Sequence, residues 1–235
     1  MIFRQLFEPE SSTYTYLIAC EKTGEAALID PVLEAIERDL ALLEELNLTL
    51  KYTIESHIHA DHVTGADVLR DRTGSRAAVP ERSGAHHVDI SLREGEPIEV
   101  GNLVIEPLYT PGHTDDHHSY LLRSTDGPRV FTGDALMIDG CGRTDFQNGD
   151  AATLYRSVHY KLFTLPDDTL VYPGHDYQLR RVSSIAQERA RNPRLGGGKT
   201  IDEFITIMNA LKLPRPRKMD VAVPLNRECG EVQAA

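Results

Sequence analysis

The sequence predicts an α/β domain in which helices lie outside two β-sheets. Strand-like and helical segments occur in two batches along the chain, and each batch is rich in strands first and carries its helices later. No linker longer than a few residues and no short-period repeat separates the batches. The 235 residues, 40% of them hydrophobic and 26% charged, are enough for one globular domain with a sizeable core.

The first batch begins with β-branched and aromatic segments, which are typical of strands. Residues 14–19 form one such segment, and residues 26–29 form another that ends at the turn signal Asp30-Pro31. Leucine and isoleucine then recur at spacings of three and four, which predicts one apolar face of a helix. These residues are Leu33, Ile36, Leu40, Leu43 and Leu46. Residues 52–54 are the next predicted strand, and residues 63–73 are a predicted helix.

The second batch opens with two predicted hairpins. The strands of the first hairpin, residues 97–100 and 103–109, flank the turn signal Gly101-Asn102. Residues 119–122 and 129–132 form the second hairpin. Both hairpins join neighbouring strands of the second predicted sheet.

Helices dominate the rest of the second batch. Asp150 is a predicted N-cap for an apolar-periodic stretch, and residues 169–172 are the last predicted strand. Helices are predicted over roughly 179–191 and 201–211. We therefore expect a single domain over 1–235 with a short helical and basic C-terminal extension from about residue 178.

The net charge is negative overall, but one stretch is basic. Lys and Arg number 25 and Asp and Glu number 36, which gives a formal net charge of −11 and makes the chain a poor candidate for binding nucleic acid. Residues 178–218 instead contain ten basic and three acidic residues, a local balance of +7. This stretch is either a solvated basic helix pair or a basic wall that faces a small anionic substrate.

The cysteines and the N-terminus predict a cytoplasmic location. Cys20, Cys141 and Cys229 are too few and too scattered for a disulfide framework, which favours a reducing compartment. The first ten residues have neither the apolar core of a signal peptide nor a transit-peptide pattern. No run approaches 18 apolar residues, so no membrane span is expected.

Histidines and acids of the metal-ligand type follow predicted strands. The segment Ser56-His-Ile-His-Ala-Asp-His62 comes directly after a strand, and His57 and His59 project to one side because side chains alternate along an extended chain. His113, Asp134 and His175 each follow a strand and a glycine. Imidazole and carboxylate groups at such positions suit Zn, Fe or Mn ions.

Each histidine taken singly is more often an ordinary core or surface residue, but the seven ligand-type residues together are hard to explain that way. The remaining histidines lack the strand and glycine context, and we expect them to be structural or solvent-facing. They are His86, His87, His117, His118 and His159.

The series of ligand-type residues resembles the metallo-β-lactamase superfamily. The resemblance rests on Ser56-His-Ile-His-Ala-Asp-His62, Gly112-His113, Gly133-Asp134 and Gly174-His175, and extends from Met1 to about Asn192. It departs from the usual pattern at Ser56, where Thr is usual. The resemblance implies an αββα sandwich of two mixed β-sheets flanked by helices, with a metal site at one edge of the sheets.

Three further segments resemble the persulfide dioxygenases of that superfamily. They are Gly140-Cys-Gly-Arg-Thr-Asp-Phe-Gln147, Gly174-His-Asp-Tyr177 and Asn192-Pro-Arg194. The family oxidises glutathione persulfide with dioxygen and water to sulfite and glutathione. The resemblance therefore implies this activity here, with one Fe(II) per chain and, from the family, a possible homodimer.

The resemblance also implies a role for each site residue. The residues that match the iron ligands are His57, His113 and Asp134, a set that leaves open positions for substrate and dioxygen. The residues that match those orienting the iron ligands, rather than binding iron themselves, are His59, Asp61, His62 and His175. The residues that match the glutathione-binding side chains are Arg143, Tyr177 and Arg194. Arginine suits this role because its fork pairs with carboxylates, of which glutathione has two.

Other functions stay open at this point. The related glyoxalase II enzymes share a Gly-Cys-Gly-Arg stretch, so a dinuclear metal hydrolase of glutathione thioesters is the main alternative. Asp61, His62 and His175 are all present and could hold its second metal. A non-catalytic protein on this fold is a weaker alternative because none of the seven ligand-type positions is lost. Cys141 has no neighbouring histidine to activate it and is predicted to be a small buried residue.

Overall fold

The secondary structure confirms the predicted α/β class with two mixed β-sheets flanked by helices. The computed structural model describes residues 1–231. Its contacts divide the chain into two units. Unit 1 comprises Met1–Leu92, Ile98–Val104 and the chain from Arg215 onward, and unit 2 comprises Arg93–Pro97 and Ile105–Pro214. The single domain over 1–235 with an extension from about residue 178 stays a prediction, and its last four residues lie outside the described part.

Unit 1 contains a six-stranded sheet in which the strands follow one another in chain order, β1 to β6. The strands are β1 (Ile2–Glu8), β2 (Thr13–Ala19), β3 (Glu25–Ile29), β4 (Thr49–Ile54), β5 (Arg76–Pro80) and β6 (Ile90–Leu92). The first two pairings are antiparallel, with Tyr16 opposite Ile29, and the remaining three are parallel. All seven residues of β2, which lies between β1 and β3, are buried.

Helices α1 (Ile36–Glu45), α2 (Ala66–Thr73) and α6 (Met219–Arg227) belong to unit 1. Leu43 of α1 and Leu69 of α2 join the apolar core formed by the strands. Helix α2 begins three residues later than predicted, because Thr64 forms an isolated β-bridge with Val32 instead of entering the helix. Its end is as predicted, since Gly74 has the left-handed conformation (φ +74°) that glycine adopts without strain.

The second sheet is also mixed, and its strand order is β12-β11-β10-β9-β8-β7. The strands are β7 (Ile98–Val100), β8 (Leu103–Tyr109), β9 (His118–Ser124), β10 (Gly127–Gly133), β11 (Leu170–Pro173) and β12 (Ser183–Ser184). β10 and β11 pair in parallel, whereas β8 with β9, β9 with β10, and β11 with β12 are antiparallel. The parallel pair brings two predicted ligand positions, after β10 and after β11, to the same sheet edge.

Unit 2 carries helices α3 (Ala151–Ser157), α4 (Ile185–Arg191) and α5 (Ile201–Ala210). The predicted cap of α3 is confirmed, because the Asp150 carboxylate accepts a hydrogen bond of 2.7 Å from the Thr153 amide. The helix predicted over 179–191 was partly wrong, since only its second half is helical. The Asp176 carboxylate accepts hydrogen bonds from the amides of Gln178 and Arg180, and this local turn replaces the first helical turns.

No helix within residues 1–231 is both long enough and apolar enough to cross a membrane.

Candidate metal centre

The segment after β4 places three buried histidines close together in unit 1. His57, His59 and His62 are all almost fully buried. The ring centroids of His57 and His59 are 4.1 Å apart, and those of His59 and His62 are 4.2 Å apart. Ligand atoms of His59, Asp61 and His62 lie within 4.8 Å of one another, so this segment alone forms a cluster that could hold a metal ion.

His59 is held between two buried carboxylates. Its Nε2 lies 3.1 Å from Oδ1 of Asp30 and 3.5 Å from Oε2 of Glu55. Burial by itself would lower the pKa of His59, but the negative charges of Asp30 and its neighbours raise it to about 10. Nε2 therefore carries a proton that it donates to Asp30. The other nitrogen, Nδ1, is buried without a hydrogen-bond partner and lies 4.0 Å from Oδ1 of Asp61.

The two carboxylates beside His59 have opposite pKa shifts. Burial raises the pKa of Glu55 to about 8, although the charge of His59 opposes this shift. Burial also acts to raise the pKa of Asp30, but the charge of His59 and the hydrogen bonds lower it overall. Asp30 additionally accepts a bond of 2.7 Å from the Ser56 amide, so it is the carboxylate that anchors the start of the segment.

Two residues that the sequence did not single out also hold this segment. Asn226 on α6 donates its side-chain amide to the carbonyl of His59 at 2.9 Å and to that of His62 at 2.8 Å. Thr13 on β2 donates its hydroxyl to the Asp61 carboxylate at 3.2 Å. Neither residue has a signal in the sequence, because these contacts join positions 48 to 167 residues apart.

In unit 2, the strand ends bring His113, Asp134 and His175 together as predicted. His113 Nε2 lies 3.3 Å from Asp134 Oδ2, and His175 Nε2 lies 3.6 Å from Asp134 Oδ1. His117, which we expected to be structural, accepts a hydrogen bond of 3.0 Å from the Asp134 amide and so supports the pair. The ring of His117 is fully buried, and its Nδ1 lies 3.0 Å from the Thr110 hydroxyl.

The other four histidines outside the motifs have ordinary structural or surface positions. His86 and His87 are exposed. His118 Nδ1 donates to the Asp116 carbonyl at 2.8 Å, and His159 Nε2 lies 3.0 Å from the Leu195 carbonyl. The expectation that these four lie outside the ligand cluster is confirmed.

Two glycines allow the close packing around His113 and Asp134. A Cβ atom at Gly142 would lie 2.7 Å from His113 Nδ1 and 2.6 Å from the Asp134 carbonyl. A Cβ at Gly174 would lie 2.9 Å from Asp134 Oδ1. Any larger residue at these positions would displace a ligand-type side chain or the backbone behind it.

The donor atoms of His113 and Asp134 fit a bound cation. His113 Nδ1 donates to the Arg143 carbonyl at 2.7 Å, so a neutral His113 turns the lone pair of Nε2 toward the Asp134 carboxylate. Asp134 Oδ1 is buried and accepts no hydrogen bond. Two acceptor groups that face each other in a buried place repel unless a cation lies between them. The His and Asp residues of this structure therefore suit a metal ion.

Arg143 and Arg194, two of the predicted substrate residues, already make bonds within unit 2. The Arg143 guanidinium donates to both carboxylate oxygens of Asp145, at 2.6 and 2.7 Å, and to the Pro214 carbonyl at 2.7 Å. These bonds lower the pKa of Asp145. Arg194 donates to the Cys141 carbonyl at 2.7 Å. Their roles toward a substrate stay predictions.

Tyr177 and Cys141 differ sharply in exposure. Tyr177, the third predicted substrate residue, is 75% exposed, and its ring is parallel to that of His175 with centroids 6.2 Å apart. Cys141 is buried, and burial raises the pKa of its thiol to about 11. The prediction that Cys141 is a small buried residue is confirmed.

A cavity of about 460 Å³ opens beside Arg143 in unit 2. Its polar lining includes Arg143, Asp145 and Asp150, and its apolar lining includes Met208 and Leu213. The cavity has room for part of a small organic substrate.

Comparison with known proteins places this site in a family. The model of the metallo-β-lactamase superfamily matches residues 9–175. The mouse protein named mitochondrial persulfide dioxygenase ETHE1 is 48% identical over 98% of this chain and 89% of its own length. The crystal structure of ETHE1 from Myxococcus xanthus has a TM-score of 0.94 and 56% identity, and covers 98% of this chain and 100% of that one.

Hydrolases of the same superfamily are more distant. The hydroxyacylglutathione hydrolase of a Polaromonas species is 40% identical over 70% of this chain and 62% of its own length. The fold and the His/Asp site define the class of the protein as a metal-dependent enzyme of two mixed sheets. The chain belongs to the metallo-β-lactamase superfamily and, within it, to the persulfide dioxygenase family.

Proposed function

We propose that this persulfide dioxygenase oxidises glutathione persulfide with dioxygen and water, giving sulfite and glutathione, at a single ferrous ion. The similarity over 98% of the chain to a curated persulfide dioxygenase carries the proposal. The fold alone would not, because one fold supports many chemistries. The His113–Asp134 pair, with its buried carboxylate oxygen that accepts no hydrogen bond, supports the need for a cation.

The proposed iron ligands are His57, His113 and Asp134. A ferrous ion held by these two histidines and one carboxylate would supply the redox chemistry with dioxygen. The protein prepares the ligands in advance. The Arg143 carbonyl keeps the proton of His113 on Nδ1, and the Ser56 hydroxyl lies 2.9 Å from Nδ1 of His57.

The residues proposed to support the ligands are His59, Asp61, His62 and His175. His175 packs against the Asp134 carboxylate, so it limits the rotation of that side chain. His59 is buried against His57 and is itself fixed by Asp30. Groups of this kind orient ligands and tune their basicity, and their loss costs about 10- to 100-fold in metal affinity or activity.

The glutathione part of the substrate is proposed to bind at Arg143, Tyr177 and Arg194. The cavity beside Arg143 supports this assignment. A glutathione carboxylate that pairs with the Arg143 fork must first displace Asp145, whose side chain is 58% exposed and free to turn into solvent. The exposed Tyr177 ring offers an apolar surface for the rest of the thiol carrier.

A metal analysis with two assays tests the proposal. The protein is purified without added metal, its metals are counted, and it is given glutathione persulfide or a glutathione thioester. We expect one iron per chain, oxygen consumption and sulfite with the persulfide, and no thioester hydrolysis. Two metals per chain with thioester hydrolysis and no oxygen uptake would contradict it.

A dinuclear hydrolase of glutathione thioesters is the second candidate. The cluster of His59, Asp61 and His62 favours it, since these residues could hold a second metal beside the first. The hydroxyacylglutathione hydrolase of Polaromonas matches less of the chain than the persulfide dioxygenases do, 70% against 98%. We therefore prefer the dioxygenase.

We propose a cytoplasmic location and a possible homodimer as further expectations. Cys20, Cys141 and Cys229 are all free and buried, which supports a reducing compartment. Fractionation of the source cells and measurement of the mass in solution test the two expectations.

A further inference from the structure

The loop that holds His113 is itself held by two buried polar residues at helix α4. This loop, residues 137–143, presents the Arg143 carbonyl to His113 Nδ1 at 2.7 Å and the Gly142 amide to the Asp134 carbonyl at 2.7 Å. Both proposed ligands of unit 2 therefore depend on where the loop lies.

Little within the loop fixes its position. Met137 and Gly140 exchange two backbone hydrogen bonds of 3.0 and 3.2 Å, and Asp139 has a positive φ of 54°. Aspartate enters this left-handed region more readily than most residues, so the conformation by itself does not fix the loop. The Asp139 amide makes its hydrogen bond outside the loop, and the Gly140 carbonyl accepts one from outside in addition to that from Met137.

Glu188 and Asn192 are the partners of these two bonds. Asn192 donates its side-chain amide to the Gly140 carbonyl at 3.0 Å and to the Glu188 carboxylate at 2.8 Å. The same carboxylate oxygen of Glu188 accepts the Asp139 amide at 2.9 Å. Both side chains are almost fully buried, so each lost bond would leave a polar group without water.

The two residues are fixed from behind as well. The second carboxylate oxygen of Glu188 accepts a hydrogen bond from the Ser183 hydroxyl. Asn192 Oδ1 accepts the amides of Arg194 and Leu195, at 3.0 and 3.1 Å. These bonds settle which end of the Asn192 amide faces the loop, since the end that receives two N–H groups must be oxygen.

We propose that Glu188 and Asn192 are positioning residues for His113 and act on it through the loop 137–143. They keep the Arg143 carbonyl in place, and that carbonyl keeps the proton of His113 on Nδ1, so that Nε2 stays available to a metal ion. The identity of the metal in this inference rests on the proposed function. The position of the proton on the His113 ring does not.

The test compares Asn192→Ala with Thr200→Ala. Thr200 caps helix α5 in the same unit, and its capping hydrogen bonds are made with Glu203, so its variant controls for a general loss of stability. Two quantities are measured. The first is the proton position on His113 at pH 8 in the metal-free protein, from ¹⁵N NMR of the histidine rings, with the signal assigned by its loss in His113→Gln. The second is the anaerobic affinity for Fe(II).

We expect Asn192→Ala to lose the Nδ1-protonated signal of His113 and to bind Fe(II) about 10- to 100-fold more weakly, as for other residues that orient metal ligands. Thr200→Ala should keep both properties. An Asn192→Ala protein with the wild-type signal and affinity but a lower melting temperature would overturn the proposal, because Asn192 would then be only structural.

Glu188→Ala serves if Asn192→Ala does not fold. Alanine removes the carboxylate oxygen that accepts both the Asp139 amide and the Asn192 side-chain amide, so the loop loses one contact and Asn192 loses a partner. We expect a shift in the same direction, and unchanged values would overturn the proposal. Wild-type protein that binds no Fe(II) would contradict the proposed function alone, since the NMR signal still tests the link from Asn192 to His113.

Discussion

The two units hold their histidines by different means. In unit 1, the histidines are held mainly by side chains. His59 lies between the carboxylates of Asp30 and Glu55. The side-chain amide of Asn226 on α6 donates to the backbone carbonyls of His59 and His62. In unit 2, His113 is held mainly by a backbone carbonyl and by the lack of a side chain at Gly142. The positions of the histidines in unit 1 should therefore be sensitive to changes in the charge of neighbouring side chains. The position of His113 in unit 2 should be sensitive to even one added methyl group.

The largest effect is expected for Asp134→Ala, which removes the carboxylate of the unit 2 pair. We predict that the variant retains no iron and takes up no oxygen, since His113 loses its anionic neighbour at 3.3 Å. Metal analysis and an oxygen electrode check this prediction. Asp168→Ala, at an exposed loop position in the same unit, should behave as the wild type. Normal iron content in Asp134→Ala would remove Asp134 from the ligand set.

The second prediction concerns backbone packing and uses two glycines of one loop. Gly142→Ala places a methyl group 2.7 Å from His113 Nδ1, whereas at Gly140 the nearest atom to a new Cβ is 4.0 Å away. We expect Gly142→Ala to weaken Fe(II) binding by about 10- to 100-fold, because the hydrogen bond that orients His113 is displaced. Anaerobic titration measures it. Equal affinities for Gly142→Ala and Gly140→Ala would show that close packing does not govern unit 2.

The same contrast explains what could be predicted from the sequence. The clusters of His and Asp were predictable because strand ends carry them and because period-two alternation puts His57 and His59 on one side. The fold class followed from the order of strands and helices. Both predictions use patterns among residues that are close together in the sequence, and the folded chain keeps such local patterns.

The supporting contacts were not predictable, because they join distant segments. Asn226 lies 167 residues from His59, and nothing around it marks it as a partner. The late start of the helix predicted over 179–191 has a similar cause, since the Asp176 side chain competes for the amides of Gln178 and Arg180. Apolar periodicity does not report such bonds.

The third prediction tests how unit 1 tolerates a buried charge away from the histidines. Burial raises the pKa of Asp39 on α1 from 3.8 to about 6, although Arg38 opposes the shift. The folded state holds this proton more tightly than the unfolded state does. Protonation of Asp39 therefore contributes its full stabilisation of the fold below about pH 3.8, and this contribution is lost as the pH rises through about 6.

Asparagine cannot ionise, so the stability of the wild type relative to Asp39→Asn should fall by about 2 kcal/mol between pH 4 and pH 7. Urea unfolding of both proteins at the two pH values measures the difference. Glu37→Gln, at a largely exposed position on the same helix, is the matched control. The stability of the wild type relative to this variant should change little between the two pH values. A difference between wild type and Asp39→Asn that does not change with pH would mean that Arg38 compensates the buried charge fully.

The smallest effect is expected for a helix cap of unit 2 that lies outside the His113 loop. Thr200 accepts the Glu203 amide, and the Glu203 carboxylate accepts the Thr200 amide, a reciprocal capping box at the start of α5. Thr200→Ala should lower the free energy of unfolding by about 1 kcal/mol. Its Fe(II) affinity should stay unchanged, because the capping hydrogen bonds join Thr200 to Glu203 and not to His113 or Asp134. Thermal unfolding and the same anaerobic titration check both quantities. A loss of affinity comparable to that of Gly142→Ala would mean that the metal ligands of unit 2 respond to the stability of the whole unit rather than to the few backbone contacts beside His113.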